Sequence, residues 1–134
     1  MTEVNNQPSG DLSLPELLAS VREFLANDVV PQLEGRSQFN TRVANGVLGT
    51  VVRELASAEA MASLKQVART QWGLAQEVDP AHALATGLAE RSVTVDDALL
   101  AWLRQYQLLV CQVNNPKYPS LAQAQRRWME GADN

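Results

Sequence analysis

From Phe39 to Leu55 apolar residues return every three or four positions, at Phe39, Val43, Ala44, Val47, Leu48, Val51, Val52 and Leu55. At about 100° per residue that rhythm fits an α-helix and no strand, and it marks the stretch PQLEGRSQFNTRVANGVLGTVVREL, Pro31 to Leu55, as one long helix. The apolar arc covers more than half of the circumference, a pattern that places a helix in the middle of a bundle. On the same projection Asn40 falls near the centre of the arc and Arg36 lies beside it one turn earlier, so both are expected to be buried. A buried amide or guanidinium left unpaired is costly, so each should hold helix ends or loop carbonyls as a structural clamp. The same two residues would also suit the polar floor of a ligand pocket; the clamp is the preferred reading.

The opposite side of this helix carries Arg42, Asn45, Gly46, Gly49 and Arg53. Glycine inside a helix costs roughly 1 kcal/mol against alanine, so something should compensate at Gly46 and Gly49. Two glycines three apart let another backbone come close. That backbone is either a helix of the same chain, the preferred reading, or a second copy meeting an interface of Gly46, Gly49 and Arg53.

Start and stop signals divide the remainder. Residues 1–12 are polar, hold Pro8 and Gly10 and show no periodicity, which predicts a flexible tail. Ser13 with Glu16 reads as a capping box opening a first helix, whose stripe of Leu14, Leu17, Leu18, Val21, Phe24 and Leu25 should bury and leave Arg22, Glu23 and Asn27 to solvent. Pro31 disturbs the turn before it, and Gly35 is a soft spot where the second helix can properly begin. Ser57 is expected to start a third helix with Met61, Leu64, Ala68 and Trp72 on one face and a left-handed stop at Gly73. Asp79 and Pro80 predict a fourth, to about Arg91, buried through Leu84 and Leu88. Thr94 and Asp97 predict capping of a fifth, whose stripe runs through Val95, Leu99, Trp102, Leu103, Tyr106, Leu109, Val110 and Val113 to a stop before Pro116. Ser120 can cap a last helix through Trp128. The expected fold is all-α, a single-domain antiparallel helical bundle of about five main helices over residues 13–118, followed by a C-terminal helix and tail at 119–134.

Composition narrows the chemistry. A chain of 134 residues buries roughly two-thirds of its unfolded surface and needs neither metal nor disulfide to fold. A net charge of −4 gives no electrostatic reason to approach phosphate backbones or anionic membranes, so no nucleic-acid or membrane partner is expected. One cysteine, no signal-like start and no long apolar run predict a cytoplasmic protein. His82, the only histidine, sits at a predicted helix start and reads as a surface residue. Cys111 lies off the main stripe of its helix with no histidine in sequence reach, and reads as a packing residue. Asp96 and Asp97 read as capping carboxylates. Glu77, Asp79 and His82 lack the paired Glu-x-x-His of di-iron bundles and a second histidine for zinc. Gly46 and Gly49 lack the preceding strand and following lysine of a phosphate loop. Arg126, Arg127 and Trp128, with Leu121 and Ala124, read as a docking helix. No catalytic constellation, metal site or cofactor is expected.

The run ELLASVREFLANDVVPQLEGRSQFNTRVANGVLGTVVREL, followed later by NNPKY at Asn114 to Tyr118, resembles an uncharacterised bacterial all-helical domain. The distinctive parts are the EGR turn at Glu34 to Arg36, the RVANG segment at Arg42 to Gly46, and Asn115 with Pro116. The resembled family occurs alone or beside aminoglycoside-phosphotransferase-like kinases, near acyl-CoA dehydrogenases, and brings no established activity. It implies an accessory role, either a non-catalytic interaction domain, as a homodimer or with such a kinase or dehydrogenase, or a bundle that binds an acyl or anionic metabolite. For the second role the candidate ligand residues are Arg36, Asn40, Arg42 and Asn45.

Overall fold

The structure is a computed structural model that describes residues 12–130, with side chains to Trp128; except for Leu12, the expected N-terminal tail lies outside them. Five α-helices are present among these residues, with no strand: α1 (Leu14–Phe24), α2 (Gly35–Trp72), α3 (Pro80–Ala89), α4 (Asp97–Asn114) and α5 (Leu121–Glu130). The all-α class therefore holds. The helices number one fewer than expected because α2 runs unbroken for 38 residues through Ser57. The run LASAEAMASLK is built from strong helix formers, and no glycine or proline falls between Gly49 and Gly73, so a lone serine cannot interrupt it.

The chain divides into two compact units, Met1–Ala56 and Ser57–Asn134, with the division inside α2. In the first unit Ser13 caps α1 as read. Its backbone amide donates to Glu16 Oε2 at 2.7 Å, and the Glu16 amide donates to the Ser13 hydroxyl at 3.4 Å. The bond from the Ser13 amide, and then its hydroxyl, hold the Glu16 carboxyl below its ordinary range. Pro31 acts four residues upstream: lacking an amide hydrogen, it leaves Leu25–Val29 as a widened π-turn in which the Val30 amide reaches back to Leu25 O. A 3-10 turn, Val30–Gln32, follows, and α2 opens at Gly35, whose φ of 58° suits glycine.

Unit one reverses the expected burial. No residue of α1 is fully buried; Leu18, Arg22 and Leu25 are half-buried, whereas Leu14, Leu17, Val21 and Phe24 are exposed. On this half of α2 the half-buried or buried positions are Gln38, Thr41, Asn45, Leu48, Gly49, Thr50, Val52 and Arg53, while Phe39, Val43, Val47, Val51 and Leu55 are 39% to 65% exposed. Most of the apolar arc faces outward, Leu48 and Val52 at its edge are half-buried, and the side with Asn45 and Gly49 faces α1, so the central-helix expectation is wrong for this half of α2. Arg36 and Asn40, expected to be buried, are exposed and form no clamp. A projection locates an arc but cannot say which neighbour lies on which side of it.

The second unit has an ordinary core. Leu64 and Ala68 of α2, Leu84 of α3, and Leu99 and Trp102 of α4 form one buried cluster, each large side chain contributing roughly 1.5–3 kcal/mol by leaving water. Trp102 Nε1 donates to Leu64 O at 2.8 Å, which satisfies the one polar atom that its burial would otherwise strand. Trp72 meets Trp102 edge-on at 6.2 Å and Tyr106 stacks on it at 5.1 Å. Gly73, with φ 61°, ends α2 while the Leu74 amide donates to Arg69 O, the left-handed stop read from the sequence. Asp79 caps α3, accepting from the His82 amide at 3.2 Å, and pairs with Lys65 of α2 at 3.2 Å. Burial alone would raise the Asp79 pKa, but the Lys65 hydrogen bond and charge and the His82 amide outweigh it and leave it lowered.

Helix α3 stops at Ala89, with Arg91 in the left-handed region at φ 59°. The amides of Ser92 and Val93 then return to Gly87 O, and a Cβ at Gly87 would collide with Val93 Cγ2. The cap of α4 is Asp96, accepting from the Leu99 amide at 2.8 Å, in place of Thr94; Val95 precedes the helix and is exposed, outside the stripe assigned to it. Leu121 of α5 is buried, Ala124 is half-buried and Trp128 is 37% exposed, so the face read as a docking face is largely covered along its length.

Candidate functional site

The groups that sequence reading gathered on α2 meet α1 through a reciprocal pair of bonds. Arg22 Nε donates to Asn45 O at 3.0 Å, and Asn45 Nδ2 donates to Arg22 O at 3.3 Å. Each side chain thus holds the other helix's backbone, in a part-buried setting where hydrogen bonds to charged groups contribute about 1.5–3 kcal/mol. Gly49 makes the approach possible: a Cβ there would stand 2.7 Å from Arg22 Cζ. The compensation expected for a helical glycine is therefore an arginine side chain of the same chain, and Arg22, expected in solvent, is the clamp that Arg36 and Asn40 were read to be. Its signal was available: an arginine needs space opposite it, and Gly49 supplies that space.

Beside this clamp lies a cavity of about 480 Å³, lined by Arg22, Ala26, Val30, Pro31, Arg42, Asn45 and Gly46. The π-turn and 3-10 turn imposed by Pro31 form one wall, and three consecutive-turn positions of α2 form the other. Arg42 is exposed, and among the described residues neither Arg22 nor Arg42 has a carboxylate partner. Asn45 Oδ1 is buried without a donor. A Cβ on Gly46 would meet nothing within 4 Å, in contrast to Gly49. Of the candidate ligand residues, the structure thus brings Arg42 and Asn45 together, adds Arg22, and leaves Arg36 and Asn40 outside. Arg53 is half-buried and donates to Thr50 Oγ1 at 3.2 Å.

A second cavity, of about 600 Å³, lies in the other unit between α2 and α4, lined by Leu64, Val67, Leu108 and Leu109 with Gln105, Gln112 and Gln125. It is mostly apolar, and none of its lining side chains is charged. His82 is exposed at the first turn of α3, and Cys111 is half-buried with Sγ 3.6 Å from Asn115 O. Among the described residues no three of His, Cys, Asp and Glu lie close enough to hold a metal, and no helix is long and apolar enough to cross a membrane.

An all-helical domain with an inverted two-helix unit and an arginine-lined cavity is the class of protein these features define. The chain belongs to the family described as a domain of unknown function, DUF6285, whose model matches residues 31–118. The matched span opens at Pro31 and closes at Tyr118, the last residue of the NNPKY segment. Neither a curated protein sequence nor a solved structure matches the chain.

Proposed function

We propose that this chain is a non-catalytic interaction domain whose working surface is the apolar band of the first unit, and that its first partner is a second copy of itself. The observation that carries this reading is the outward stripe of Phe39, Val43, Val47, Val51 and Leu55 on α2; Leu14, Leu17, Val21 and Phe24 of α1 are exposed as well. The five residues of the α2 stripe are 39% to 65% exposed, and a stable complex covers about 800 Å² per partner, so the stripe would form the apolar centre of such an interface. Monomeric proteins seldom leave so much large apolar surface in water. A symmetric dimer meets the requirement with no other component, because the same patch serves both sides. The resemblance of the sequence supplies the proteins such a dimer would serve, a phosphotransferase-like kinase or an acyl-CoA dehydrogenase.

The test places a spin label at Val47, as Val47→Cys in a Cys111→Ser background. A self-paired band brings two labels within dipolar range, and dilution with unlabelled chain should halve the coupled fraction. Labels that report no partner at any concentration would reject pairing through this face.

A further inference from the structure

The cavity beside the Arg22–Asn45 clamp is kept open at a cost that no packing among the described residues explains. Gly46 forfeits roughly 1 kcal/mol of helix propensity relative to alanine, yet a Cβ there would touch nothing within 4 Å. Gly49, one turn on, has its reason in Arg22; Gly46 has none among the described residues. The space in front of it is the cavity of about 480 Å³, within the range of small-molecule sites.

The polar groups around that space are incomplete in a consistent way. Arg22 spends its Nε on Asn45 O, and its terminal nitrogens, like the whole guanidinium of Arg42, have no carboxylate among the described residues. Two like charges lining one cavity repel, and an anion between them would turn that cost into two charge-assisted contacts. Asn45 Oδ1 is a buried acceptor without a donor, a deficit on the order of 1–3 kcal/mol. The wall formed by Ala26 and Val30 belongs to a π-turn and its continuation, a geometry found often at functional sites and rarely elsewhere.

We infer that this cavity binds a small organic anion, with Arg22 and Arg42 holding its phosphate or carboxylate and Gly46 leaving room for its body. The inference goes beyond the interaction reading and does not depend on it, since its test reads ligand heat and the other reads assembly.

Isothermal titration of the full chain uses glycerol 3-phosphate and glycerate as probes, one for each acid group, with inorganic phosphate and glycerol as partial ligands. The expected result is binding of at least one organic anion at least tenfold tighter than either partial ligand, and which of the two binds identifies the acid group. Arg42→Gln, at an exposed position outside the clamp, should weaken that binding at least tenfold with the melting temperature unchanged. Gly46→Leu should abolish it by filling the cavity while the helix is retained. No heat from either probe at millimolar concentration, affinity no better than that of inorganic phosphate, or affinity unchanged in both variants would each overturn the assignment.

Discussion

Gly46 and Gly49 stand three residues apart in one helix and do opposite things. Open space in front of Gly46 means that Gly46→Ala should stabilise the fold by roughly 1 kcal/mol. Gly49→Ala carries the same propensity gain but pushes Arg22 off Asn45 O, so it should fall below Gly46→Ala by about 1.5–3 kcal/mol in chemical denaturation. Removing the obstacle tests the cause: in an Arg22→Ala background, Gly49→Ala should recover its gain. Equal gains at both glycines in the parent would show that Arg22 does not depend on the missing Cβ. Asp79 gives a pH-dependent counterpart. Its folded pKa lies below the unfolded value, so its contribution is complete above that value and is lost as pH falls through the folded one. Asn keeps the cap but not the charge, so Asp79→Asn should cost less than about 1 kcal/mol at pH 7, the group being half exposed, and the gap should close as pH falls through the lowered folded pKa. A gap that persists into acid would assign the effect to something other than the Lys65 pair.

At the scale of elements, α2 separates two readings of the same residues. If Ser57 began a helix, a proline at position 58 would occupy its favoured first position and be tolerated. In the continuous α2, Ala58→Pro removes an interior hydrogen bond and should cost about 3 kcal/mol or more, with a loss of far-ultraviolet helical signal. What the sequence disclosed follows the range of the interactions. Caps and stops are local, so Ser13 with Glu16, Asp79 with Pro80, and Gly73 were readable from neighbours three or four residues away. Ser57 misled because serine signals a start only when something nearby breaks the preceding helix, and here nothing does. The clamp was half legible: the RVANG segment stood out for its glycines and amide, but its partner Arg22 lies 23 residues upstream of Asn45 and looked like any solvent arginine. Arg36 and Asn40 were placed correctly on the apolar arc of α2; the arc itself turned outward, a fact decided by tertiary packing.

The whole molecule holds two units of different character. The second closes a core on Trp102, whose indole is bonded to Leu64 O and flanked by Trp72 and Tyr106. The first joins α1 to α2 through Arg22 and Asn45, covers Val30 and half-covers Leu18, Leu25, Leu48 and Val52, and turns Phe24, Phe39, Val43 and Val47 to water. Polar clamping inside and apolar residues outside suit a unit completed by another polypeptide, and that completion is the central claim. Sedimentation equilibrium of the full chain, parent beside Val47→Glu, tests it most directly. Val47 is 60% exposed and belongs to no core, so the substitution should leave the helical content and melting of the monomer intact. The account predicts a parent dimer at micromolar concentration and a monomeric Val47→Glu. A parent that stays monomeric into the hundreds of micromolar, or a Val47→Glu that pairs as the parent does, would contradict it.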